Sequence, residues 1–456
     1  MSEASSTTRR GAAAIAYRIT MVGGLMFVLA ANLPGHLSFD SVVALVEART
    51  GVRQTWAPAV SSWLLKLFDS LVAGTGLYVT ASAALLFLSL MSLAKLRPRT
   101  GWLAVVLGAA AIATPQVLIY QGIVWRDVLF ANLAITGFVC LAHAAKGWPT
   151  RRLLPLAGAL VCLALAALVR QNGLIMVVFA AGALAWTARR GGRRAILGWG
   201  LGSLVATGLL ALAINHIAQP PVIPAKLRLD AASLILQHYD IVGAKAHHPK
   251  LRYSAIAKAD PAAAAYLEAN APLRYSQARV DTLDTDETFR KTLWRVPDEA
   301  MNAEWIEVIT RYPAAYALQR ADVFRWVFLT PQLEMCLPVT VGVSGPDIML
   351  ADLDMATGVD AQDQMLADYA KRFYSTPVYS HLTWALVAVA VIALLLRRRD
   401  PADWVIVSLL AGTLAFTASF ALISVACDYR YLYLLDLAAM VGLIYTALDP
   451  PFRRRA

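Results

Sequence analysis

The chain has 456 residues, 58% of them hydrophobic and 16% charged, with a formal net charge of +11. Soluble proteins carry about 25% charged residues, so the composition excludes an ordinary soluble enzyme. The basic excess sits in short runs between apolar stretches, which argues against a nucleic-acid surface and fits the orientation signal of a membrane protein.

Apolar runs at about 14–33, 77–94, 101–120, 128–145, 153–169, 173–188, 195–217, 378–396, 404–426 and 431–447 predict an all-α polytopic membrane protein with ten spans. Helices are required because lipid offers the backbone no hydrogen-bond partners. The first run follows Arg9, Arg10 and Arg18, and its exit at Asn32-Leu33-Pro34-Gly35-His36 lacks a small-residue cleavage site, so it reads as a retained span. Basic clusters follow spans two (Lys95, Arg97, Arg99), four (Lys146, Arg151, Arg152), six (Arg189, Arg190, Arg193, Arg194), eight (Arg397, Arg398, Arg399) and ten (Arg453, Arg454, Arg455). All are even-numbered exits, so both termini are expected in the cytoplasm.

Three parts are expected: a seven-span module at 1–217, an extracytoplasmic soluble domain at 218–377, and a three-span module at 378–456. Two short helices are predicted in the first outer connection. Ser38 can cap one with Phe39, Val42, Val43, Leu45 and Val46 on its apolar face; Pro58 suits the first turn of the other, and both would lie in the membrane interface over 38–72. Segment 218–377 holds 16 Lys+Arg against 20 Asp+Glu, an acidic balance unlike the basic inner loops, and its pattern is mostly helical. Glycines 198, 200 and 202 are expected to let helices approach closely. No internal repeat and no phosphate-binding P-loop is visible. Cys140 and Cys162 read as core residues, whereas Cys336 and Cys427 fall on one side and could pair. The seven histidines show no metal-binding spacing.

Four polar groups fall on the outer side. Asp40, just past span one, reads as a general base or as an acid that favours a helix N-terminus. Trp125-Arg126-Asp127 opens span four, either as a plain helix start with an interfacial aromatic or as a second carboxylate beside a phosphate contact. Arg170-Gln171-Asn172 forms a three-residue link between apolar runs. A charge there either snorkels to headgroups or faces a polar cavity. Cys427-Asp428-Tyr429-Arg430-Tyr431 precedes span ten, and Arg430 could pair locally with Asp428 or grip a phosphate bidentately. Two carboxylates with three arginines suit one chemistry: an acid takes a proton from an acceptor hydroxyl while guanidinium groups stabilise a departing phosphate.

These motifs resemble those of bacterial membrane glycosyltransferases of the GT-C superfamily. The resemblance rests on the run from Pro34 to Leu65, with Asp40-Ser41 and Trp56-Ala57-Pro58. It continues in Pro115-Gln116, Trp125-Arg126-Asp127-Val128, Leu168-Val169-Arg170-Gln171-Asn172-Gly173 and Asp428-Tyr429-Arg430-Tyr431, and in a long outer loop after span seven. It implies a GT-C-like fold in the bacterial inner (cytoplasmic) membrane, with the large loop periplasmic. The implied activity moves a sugar, with inversion, from a polyprenyl-phosphate carrier to a glycan, lipid or protein acceptor. Asp40 would be the catalytic base and Asp127 the second acid. Arg126, Arg170 and Arg430 would contact phosphate, and Trp125, Gln171, Asn172, Trp56 and Tyr429 would shape the substrate pocket. A divalent cation, Mg or Mn, is left open by the resemblance. The chain departs from the family pattern at Ala57, where relatives often carry histidine, and at Arg126, where lysine is frequent. The rival readings are a transporter or flippase of lipid-linked sugars and a non-catalytic envelope-assembly subunit.

Overall fold

The computed structural model of the protein describes residues 2–450. Arg453–Arg455, one of the orientation clusters, lies outside the described residues, as do the side chains of Arg9 and Arg10. Among the described residues the regular structure is helical, with only isolated backbone bridges besides.

The first membrane part contains α1 (Ser2–Asn32), α2 (Phe39–Thr50), α3 (Ala59–Leu71), α4 (Gly76–Leu96), α5 (Trp102–Ile112), α6 (Pro115–Leu118), α7 (Arg126–Lys146), α8 (Leu153–Val169), α9 (Leu174–Ala188) and α10 (Gly192–Ala218). Among the described residues, seven helical segments are long and apolar enough to cross a membrane, or eight if one bent pair counts as a span. The difference from the expected ten has local causes. The third run is not a continuous helix: α5 and the segment from Pro115 to Gly122 meet at 71°. Pro115 lacks an N–H and pushes Thr114 out of the helical region, to ψ 145°. Helix α8 has only 17 residues, about 26 Å of rise, slightly less than a hydrocarbon core of about 30 Å. The run Gln171–Ala218 counts as one segment of 48 residues, but it turns back at Gly192, whose φ of +79° suits glycine, and α9 packs along α10.

The bundle has two chemically distinct ends. At one, Arg97 reaches Asp403, Asp400 and Asp449, Arg398 grips Asp403, and Arg152 sits over the rings of Trp148 and Trp199. At the other lie α2, the starts of α7 and α9, and the end of α8.

Segment 218–377 divides into two portions. Helices α11 (Ala231–His247), α12 (Ser254–Ala259), α13 (Pro261–Arg274), α14 (Glu287–Arg295), α15 (Asp298–Arg311) and α16 (Pro313–Leu329) enclose a core of their own around Tyr239, Tyr253, Phe289 and Met301. The rest, with α17 (Asp347–Asp352) and α18 (Ala361–Lys371), packs into the membrane part's core through Leu333, Leu350, Leu353, Leu366 and Ala370. Tyr369 donates to Ala113 O at 2.5 Å and Gln362 to Ala31 O at 2.6 Å. Cys336 and Cys427 form a disulfide that ties this portion to the turn before the last span. The chain ends in α19 (His381–Arg398), α20 (Pro401–Ile423) and α21 (Tyr433–Leu448).

Candidate functional site

Asp40 owes its position to the chain leaving α1. Gly35 takes φ +116°, and a Cβ there would meet Val79 at 2.8 Å, so glycine lets the extended chain lie against residues 122–124. His36 N–H donates to Gly122 O at 2.9 Å, and Val124 N–H donates to His36 O at 3.0 Å. Ser41 Oγ then donates to Val124 O at 2.7 Å, and Trp125 Nε1 donates to Ser38 Oγ at 2.8 Å. These bonds place the first turn of α2, with Asp40, beside the first turn of α7, with Arg126 and Asp127.

Arg430 joins the two. It sits in the 3-10 turn Tyr429–Leu432. Its Nε donates to Asp428 Oδ2 at 2.7 Å and lies 3.8 Å from Asp127 Oδ2, its Nη2 donates to Asp40 Oδ2 at 2.6 Å, and its guanidinium covers the Trp125 ring at 4.8 Å. The local Asp428 contact and the long-range role therefore coexist. Arg170, freed from helical geometry after α8, forms an ion pair with buried Asp127. Its guanidinium is packed among Phe416, Phe420 and Tyr431 at 5.2–5.6 Å. Three acids, Asp40, Asp127 and Asp428, thus face two arginines, Arg170 and Arg430.

Arg126 differs from the other two arginines. It has no acid or hydrogen-bond partner among the described residues, and its guanidinium lies 5.8 Å from the centre of the Trp56 ring. It lines two neighbouring cavities, one of about 190 Å³ bounded by Asp40, Trp56, Trp125 and Arg430, the other of about 130 Å³ bounded by Trp56, Arg170, Gln171 and Asn172. Trp56 is held by its loop, where buried Arg53 pairs with Glu47 at 3.4 Å and donates to Ala57 O. Pro58 is the residue before α3 rather than within it.

Of the remaining sequence-predicted residues, Gln171 is exposed at the rim and Asn172 Nδ2 donates to Ser419 Oγ at 3.2 Å. Tyr429 is placed elsewhere. It is fully buried and points inward, donating to Asp436 at 2.6 Å and accepting from Gln116 at 2.9 Å, with the His381 ring stacked on the Tyr429 ring at 4.1 Å and 2.8 Å from Asp436. The structure adds Ser38, Ser41, Arg53 and Glu47 as residues that hold the site. No motif signals a buried pair between Glu47 on α2 and Arg53 in the loop six positions on.

Burial raises the Asp40 carboxyl, but Arg430 and Arg126 outweigh it and hold the group below the usual carboxylate range. Asp428 moves the other way: burial raises it, Arg430 pulls it down, and Asp40 pushes it up again. A divalent cation does not fit these acids as they stand, since each carboxylate faces a guanidinium, and among the described residues no three His, Cys, Asp or Glu side chains are placed to hold a metal ion together.

The arrangement presents an ionised carboxylate and an uncommitted guanidinium to one cleft walled by indole rings. The chain matches no protein-family model, no curated protein and no solved structure at a significant level.

Proposed function

We propose that the protein is a GT-C-like glycosyltransferase of ten crossings, with both termini on the side of the basic clusters and α11–α16 on the side of Asp40. It moves a sugar from a polyprenyl-phosphate carrier to a hydroxyl acceptor. The observation that carries the reading is Arg126, a guanidinium without an acid partner lining two cavities beside a paired carboxylate. An incoming phosphate binds Arg126 and competes with Asp40 for Arg430. As Arg430 turns to the phosphate, Asp40 loses its counter-charge and becomes a stronger base. Asp40 then takes the acceptor proton while the acceptor oxygen bonds to the sugar carbon. The bond from that carbon to the phosphate oxygen breaks, and Arg126 and Arg430 hold the departing polyprenyl phosphate. Asp127 keeps Arg170 in place at the cavity wall. The position of Asp40, Arg126 and Arg430 at one end of the bundle, rather than halfway along it, favours this over a transporter, whose binding site lies near the bilayer midplane.

The test is transfer of radiolabelled sugar from a polyprenyl-phosphate donor by purified protein in detergent. Asp40→Asn should lose roughly 100-fold or more in rate with unchanged thermal unfolding. Transfer at the native rate by a folded Asp40→Asn protein would overturn the assignment.

A further inference from the structure

A second cavity, of about 640 Å³ and walled almost wholly by apolar side chains, lies between α8, α9 and α10. It is within the size range of ligand sites, about 300–1,000 Å³. Two of its wall positions are glycines, and they were expected to serve close helix packing. Only Gly200 does so: a Cβ there would meet Ala185 at 3.1 Å, whereas one at Gly198 or Gly202 would meet nothing within 4 Å. The missing side chains at 198 and 202 leave space rather than contact.

The wall runs along α10 from Arg194 to Thr207, about 20 Å of helix rise. That is close to one leaflet with its headgroups, half of a bilayer of about 40–45 Å. The mouth carries the marks of the headgroup level. Trp199 lines the cavity and packs edge-on against Trp148 at 4.9 Å, and Arg152 sits over both rings at 4.6 and 5.0 Å. Tryptophan concentrates at that depth. Arg194 also lines the mouth, next to Arg193, and neither has a carboxylate partner among the described residues.

We infer that this cavity is a binding site for one anionic glycerophospholipid, with an acyl chain beside Gly198 and Gly202 and its phosphate at Arg194. Basic pockets between membrane helices take anionic headgroups in this way. The mouth is at the opposite end of the bundle from Asp40, and its length is that of one leaflet, so the occupant is a structural bilayer lipid. The inference stands apart from the glycosyltransferase reading and needs only that the chain spans a membrane.

The experiment uses the full chain, delipidated in mild detergent and titrated by native mass spectrometry with phosphatidylglycerol and with phosphatidylcholine of identical chains. The native protein should bind phosphatidylglycerol at least tenfold more tightly. Arg194→Gln should erase the preference, while Gly202→Leu should weaken both lipids at least tenfold by filling the space. Gly198→Leu fills the same groove if the first variant does not fold. Equal binding of the two lipids by the native protein, or undiminished binding by both leucine variants, would overturn the inference.

Discussion

Arg430 and Asp40, 390 positions apart in the chain, form an ion pair at 2.6 Å that closes the rim of the site. Arg430 and Arg126 hold Asp40 below its ordinary range, so in the free protein the carboxylate stays ionised to unusually low pH. The acidic limb of the kcat/KM profile should therefore lie below the usual carboxylate range. In Arg430→Gln, burial is opposed only by Arg126 and the limb should move to higher pH. A limb in the same place in both proteins would separate Asp40 from the chemistry.

Arg126 has no acid to leave stranded. Arg126→Gln should fold with little change in thermal unfolding, yet weaken donor binding. Loss of a charged hydrogen bond is worth about 1.5–3 kcal/mol, so KM for the donor should rise roughly 10- to 100-fold. Saturation kinetics with varied donor would read this directly.

Asp127 and Arg170 behave oppositely, because each neutralises the other in a buried place. Removing one partner leaves an uncompensated charge, which costs about 3–5 kcal/mol. Asp127→Asn and Arg170→Leu should each lower the midpoint of thermal unfolding sharply. The double variant should be less destabilised than the sum of the two, which a double-mutant cycle measures.

The Cys336–Cys427 disulfide closes a loop with a sequence separation of 91. Cross-links of that reach typically contribute about 2–4 kcal/mol. Cys336→Ser with Cys427→Ser should unfold at lower temperature, and reducing agent should lower the native protein's midpoint without affecting the variant's.

His238 in α11 is buried edge-on against Trp294 at 4.9 Å. Burial lowers it from its ordinary 6.5 to about 4, partly offset by Asp298. Between those values the unfolded chain binds the extra proton, so stability falls as pH drops through this window, by up to about 3 kcal/mol. His238→Phe should flatten the loss of stability of the α11–α16 unit between pH 6.5 and 4, followed by hydrogen exchange of its core helices.

The groups that form the candidate site were legible as residue types at the ends of apolar runs. Asp40, Arg126, Asp127, Arg170 and Arg430 do meet, as their shared side implied. Tyr429 was misplaced for a local reason. A 3-10 turn rotates about 120° per residue, so when Arg430 faces the cleft its neighbour faces the core. Gly200 packs as expected while Gly198 and Gly202 open space, because spacing alone cannot say whether a missing Cβ meets a neighbour or a void.

The apolar runs, the helices and the placement of charges at their ends are properties of the chain by itself. They follow from burial and from backbone hydrogen bonds made within a few residues. Which acid faces which guanidinium, the turn-back at Gly192, the joining of residues 330–377 to the membrane core and the Cys336–Cys427 pair came only with the tertiary structure. Each depends on two distant stretches reaching one place, and that is decided by how the helices pack, which no local pattern encodes.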